Sequence, residues 1–67
     1  VKPSKTGAHL KAIREGKKVT LHELARRTGI APPNLSRLEH DKVVPSIETL
    51  RRIANALDVP LAELLHS

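Results

Sequence analysis

Apolar residues recur at three- and four-residue intervals along nearly the whole chain: Leu10 and Ile13, then Leu24, then Leu35 and Leu38, then Ile47, Leu50, Ile53, Ala54 and Leu57, then Leu61, Leu64 and Leu65. Polar and charged residues fill most of the positions between them. This is the stripe of amphipathic helices, without the alternation that strands require, and it predicts an all-α, compact five-helix bundle. The first helix is expected from about Thr6 or Gly7 to Glu15, with Gly16 placed to end it. The second opens after Thr20, an N-cap three residues before Glu23, which completes a capping box, while Val19 is placed to staple onto Leu24. The third is expected over about residues 32–39. Its cap position holds Ala31, and Pro33 pushes Pro32 away from the α region, so this helix is expected to begin one residue late. Ser46 caps the fourth helix, which leaves Arg51, Arg52 and Asn55 outside, and Pro60 suits the first turn of a short fifth helix with Leu61, Leu64 and Leu65 facing inward.

The stretch from Thr20 to His40 is the most informative. Two helices cross closely only where a side chain is very small, and Ala25 lies between Leu24 and Thr28 on the inner side of the second helix. Four residues later Gly29 supplies the positive φ that ends the helix, and Ile30 tucks a branched side chain under the corner. Leu35 and Leu38, three apart, point back onto the second helix, so Pro33, Ser36, Arg37 and His40 fall on the opposite face. The spacing is that of a helix-turn-helix whose outer face is free to contact another molecule.

Composition narrows what that molecule is. The chain has 67 residues, room for one domain that buries roughly 60% of the surface its unfolded form exposes. It contains no Cys, which excludes a disulfide or a thiolate metal site and suits a cytoplasmic setting. With no Phe, Tyr, Trp or Met, the core must be aliphatic. No apolar run reaches the length of a membrane span, and no signal-peptide pattern opens the chain. Lys and Arg number 12 against 7 Asp and Glu, a formal charge of +5 that attracts polyanions. Single-stranded nucleic acid is disfavoured, because its binders stack bases on aromatic rings. Residues 1–5, VKPSK, read as a flexible N-terminal arm carrying Lys2 and Lys5, ahead of a domain over 6–67.

The motifs LKAIRE, TLHELARRTGI, NLSRLE, PSIETLRRIANALDV and PLAELL, spread from Leu10 to Leu65, are together highly specific. They resemble the lambda-repressor-like helix-turn-helix family, which includes Cro and the phage repressors. The resemblance implies a bacterial or phage transcription regulator, commonly a repressor, that lays its third helix in the major groove of double-stranded DNA with the second across the backbone. One such helix grips few bases, so a homodimer on a palindromic operator is expected, with half-sites about 34 Å apart. Helix five and the end of helix four, with Leu61, Leu64, Leu65 and His66, are candidates for the dimer contact and equally for the core. An additional sensor or partner domain, absent from this chain, fits the same picture.

Arg37 is the leading base reader, since a guanidinium bonds bidentately to the O6 and N7 edge of guanine. Ser36 and Asn34 come second, the latter through adenine. Pro32 and Pro33 replace positions often polar in the resembled family and offer rings to thymine methyls. Phosphate contacts are expected at Thr20, where the start of the second helix presents N–H groups and a positive dipole end, with Lys18, His40 and Lys42 around it. Arg14 and Glu39 are expected to pair across helices one and three. In the resembled family a matching pair clamps the recognition helix and lets the arginine reach a phosphate. Leu21 stands where relatives often have an anchoring Gln, and Asp41 where many have Gly, its charge opposing phosphate and Lys42 offsetting it.

The histidines His9, His22, His40 and His66 are spaced by 13, 18 and 26 residues and form no ligand pattern, so no metal is expected. Ser36 has no neighbouring base to activate it; neither an enzyme nor a cofactor is expected. Two rival readings share the fold: a protein-interaction adaptor or antitoxin-like module, whose binding would be insensitive to Arg37→Ala, and a non-specific nucleic-acid binder with little preference between duplexes.

Overall fold

The computed structural model describes residues 6–65; the expected arm with Lys2 and Lys5, and His66, lie outside the described residues. Five helices follow in order: α1 Thr6–Gly16, α2 Leu21–Thr28, α3 Pro32–Glu39, α4 Ile47–Leu57 and α5 Leu61–Leu65. No strand occurs among the described residues, and no helix among them is long and apolar enough to cross a membrane. Every helix supplies a side chain to one core: Leu10, Leu24, Leu35, Ile53, Leu57 and Leu64 are fully buried, and Ala25, Leu38, Leu50 and Ala54 complete it. α1 packs on α3 and α5, α2 on α3 and α4, and α5 on α4. Ile47 and Leu65, expected inside, are 53% and 47% exposed. They occupy the first and last positions of their helices, where the neighbouring elements no longer cover the stripe.

Helix ends account for most of the local differences from the sequence pattern. Gly16 is the last residue of α1, but the left-handed residue that closes the helix is Lys18, at φ 59. Its N–H bonds the Glu15 carbonyl at 2.9 Å while the Val19 N–H reaches back to Arg14 at 3.1 Å, a Schellman pair. Val19 packs against the core, so the chain turns where that side chain is delivered rather than where the backbone is most permissive. Asp58 ends α4 in the same way, at φ 59. α3 starts at Pro32 without delay, although Ala31 offers no side-chain cap. The prolines sit at the first two helical positions, whose N–H groups have no intrahelical acceptor to lose, and the Asn34 and Leu35 N–H groups both bond the Ala31 carbonyl.

Thr20 caps α2 with its hydroxyl, which accepts the Glu23 N–H at 3.0 Å. The expected reciprocal half of the capping box is replaced: the Glu23 carboxylate runs forward along the helix to Arg26 and Arg27. Hydrogen bonds from Arg26 and then Arg27 hold Glu23 below its ordinary pKa of 4.5. A carboxylate depressed on folding contributes stability that is present above the ordinary value and lost as pH falls through the lowered one. The Glu23→Gln variant is therefore expected to lose less melting temperature than the parent on acidification from about pH 5 to pH 2. Parallel melting curves over that window would show that the exposed network contributes nothing.

Candidate nucleic-acid interface

α3 is an eight-residue helix with two unlike sides. Leu35, Leu38 and Glu39 are buried, whereas Pro33, Asn34, Arg37 and His40 are exposed and Pro32 and Ser36 are half-buried. With its side chains an α-helix is about 10–12 Å across, which the roughly 12 Å wide major groove of B-DNA admits. Arg37 stands near the crest, the one cation in α3. Its Nη1 donates to Asn34 Oδ1 at 3.0 Å. The Ser36 carbonyl accepts from His40 Nδ1 at 2.8 Å, which fixes that imidazole over the last turn.

The corner that presents this face is bonded as well as packed. Ala25, only 9% exposed, sits where α2 meets its neighbours, and Gly29 takes the left-handed conformation at φ 77 with its N–H on the Ala25 carbonyl. Thr28, buried, donates its hydroxyl to the Leu24 carbonyl and accepts the Ile30 N–H at 3.2 Å. It thus joins the end of α2 to the first residue of the corner. Sequence reasoning did not single it out, although a Thr directly before a helix-ending Gly has the side chain for that role. Arg27 was missed too: its Nη1 donates to the Ala56 carbonyl at 3.1 Å and ties α2 to the end of α4.

Behind α3 lies an ion pair shut away from solvent. Arg14 Nε donates to Glu39 Oε2 at 2.5 Å, Nη2 to Oε1 at 3.0 Å, and Nη1 to the Val19 carbonyl at 2.8 Å. Arg14 and Glu39 are 8% and 5% exposed. The hydrogen bond from Glu39 raises the Arg14 pKa against the opposing effect of burial, so the guanidinium stays charged throughout the physiological range. The fork-to-fork geometry satisfies both carboxylate oxygens and links α1, the α1–α2 turn and α3. Nη2 also lies 3.9 Å from the carboxylate of exposed Glu15, but each guanidinium nitrogen is bonded to Glu39 or to the Val19 carbonyl, so Arg14 serves as part of the scaffold.

Beside the exposed face of α3, the start of α2 leaves the N–H groups of Leu21 and His22 in the first turn, where no carbonyl of the helix can reach them. The Leu21 side chain packs against the core, and Thr20, Lys18, His40 and Lys42 are exposed. Asp41 does adopt the left-handed conformation, at φ 56. Its Oδ1 accepts the Gly7 N–H at 3.0 Å, so its charge caps the positive end of α1 instead of projecting freely beside Lys42. Among the described residues no group of three His, Cys, Asp or Glu is arranged to hold a metal ion.

Two helices joined at a tight corner, the second clamped from behind and bare in front, define a helix-turn-helix module. The chain belongs to the helix-turn-helix family HTH_3, whose model matches residues 10–64. It is 36% identical over 61 residues to the HTH-type transcriptional repressor RghR of Bacillus subtilis, an overlap covering 90% of this chain and 45% of that protein. It is 32% identical over 59 residues to the immunity repressor protein of Bacillus phage phi105, covering 88% and 41%. The fold is similar to the crystal structure of the clp gene regulator ClgR from C. glutamicum, with a TM-score of 0.88, 38% identity, and coverage of 91% of this chain and 79% of that one. The chain spans less than half the length of the curated relatives it matches.

Proposed function

We propose that this domain binds double-stranded DNA sequence-specifically as part of a transcription regulator of the repressor type, with α3 in the major groove. The observation that carries the reading is Arg37, exposed at the crest of a helix whose other side is locked by Leu35, Leu38 and the Arg14–Glu39 pair. A guanidinium so placed suits the guanine edge. Ser36 and the rings of Pro32 and Pro33 supply lesser contacts. The open N–H groups at the start of α2, with Thr20, Lys18, His40 and Lys42, take phosphate oxygens. Names of the relatives, a repressor and an immunity repressor, agree with that role.

Two copies on an inverted repeat complete the reading, because one short helix contacts too few bases for genomic specificity. The domain measures 34 × 23 × 21 Å, so two copies fit side by side on half-sites one helical turn apart. Leu64 is fully buried and Leu61 packs on the core, which leaves Leu65 as the exposed leucine of α5. The apolar surface nearer to α3 is Val43, Val44 and Ile47, with Val44 95% exposed. That patch supports a dimer contact in the α3–α4 loop better than one built on α5.

Selection from a random duplex pool, followed by titration of variants, tests the proposal. Arg37→Ala is expected to cost about 1–3 kcal/mol on the selected site and almost nothing on random duplex, whereas Lys42→Ala weakens both alike and makes the salt slope shallower by about one unit. Equal losses on both duplexes for Arg37→Ala would reduce the domain to a charge-driven binder. A selected site without inverted symmetry would remove the two-copy arrangement.

A further inference from the structure

Asn34 has the chemistry to read adenine, but that readout needs its carbonyl and its amide nitrogen together. In this structure the carbonyl already accepts Arg37 Nη1 at 3.0 Å, which engages one of its two lone pairs with the guanidinium. We infer that Asn34 is a positioning residue for Arg37: its Oδ1 holds the guanidinium so that the remaining N–H pair faces a guanine, and Asn34 reads no base of its own. The inference rests on α3 being the helix that enters the groove, and it names what sets specificity there.

Two features of the surroundings support it. Asn34 and Arg37 are three apart and so share one flank of α3, where a short amide with two rotors can restrain an arginine with many more. Asn34 and Arg37 both line a cleft whose other walls include Leu38, Val43, Val44 and Pro45. Its hydroxyls, on Ser46 and Thr49, are bonded to one another at 3.0 Å. The guanidinium has its acceptor at Asn34, at a cleft with apolar side chains in its wall. Part of the ordering that a flexible arginine must undergo in the groove is in place before DNA arrives, and the bond tightens once water is excluded.

The test uses the selected duplex and single-base variants of it, with helical content and melting temperature as folding controls; Asn34 is exposed, so its replacement leaves both unchanged. Asn34→Ala is expected to lower the preference for guanine at the base pair that Arg37→Ala relaxes by roughly threefold to tenfold, leaving other positions and random duplex unaffected. Asn34→Asp keeps the acceptor: it is expected to retain that preference while binding every duplex more weakly, through repulsion of phosphates. In the Arg37→Ala background, Asn34→Ala should change nothing further. Relaxation at a different base pair would show that Asn34 reads its own base, and an unchanged Asn34→Ala profile would remove its role; either overturns the inference. Failure of the reading beneath it shows separately, as an Arg37→Ala loss that is the same on all sequences, and overturns both.

Discussion

Glu39→Ala is expected to remove about 3–5 kcal/mol of folding stability, most of what a domain of this size possesses. The carboxylate is buried and receives two hydrogen bonds from Arg14, itself 8% exposed. Deleting it strands a guanidinium that keeps its charge at any pH of interest, in a space built for its partner. The cost is that of an uncompensated buried charge, far more than the fraction of a kcal/mol typical of an ion pair in solvent. Replacing both members, Arg14→Met with Glu39→Leu, is expected to recover most of the loss, less the Arg14 bond to the Val19 carbonyl. Urea unfolding of the two singles and the double closes the cycle. A Glu39→Ala loss under about 1 kcal/mol would mean that the pair behaves as a surface contact and does not hold α3 in place.

The second large effect comes from comparing two glycines of one helix. A Cβ on Gly7 would stand 2.3 Å from the Leu38 carbonyl oxygen and 2.8 Å from that of Glu39. Both are backbone atoms at the end of α3, so Gly7→Ala must push α1 away from α3 and stretch the Asp41 cap on the Gly7 N–H. Overpacking of that kind outweighs the helix propensity gained, for a net loss of about 2 kcal/mol and a melting temperature lower by roughly 10 °C. Gly16 has open space around it and no left-handed φ. Gly16→Ala is expected to gain about 0.5–1 kcal/mol. If thermal melts moved both variants upward, the close approach of α1 to α3 would be wrong.

Those two sites also mark where sequence reasoning stopped. The Arg14–Glu39 pairing was legible because both residues fall on facing flanks of helices whose registers the leucines set. Its burial was not, since the pattern cannot tell how far the turn at Lys18 and Val19 folds over the guanidinium. Gly7 looked like an ordinary residue in a first turn, and only the crossing of α1 over the end of α3 makes it irreplaceable. Asp41 looked like a misplaced charge beside a phosphate; its partner is 34 residues away along the chain. The bond from Arg37 to the Asn34 carbonyl, between residues three apart on α3, was not read from the sequence either, because the spacing permits that contact without choosing it over others.

Leucine spacing, the Thr20 and Ser46 caps and the Ala25-to-Gly29 interval were enough by themselves to specify five helices, the corner between α2 and α3, and the outward placement of Arg37. Those features depend on local periodicity, on capping hydrogen bonds and on the one residue type that enters the left-handed region without strain, all of which are written within a few positions of each other. The close contact at Gly7, the cap at Asp41, the seclusion of Arg14 and the exposure of Val44 and Ile47 were decided only when the helices packed. Each depends on the distance between atoms far apart in the chain, which no local pattern encodes.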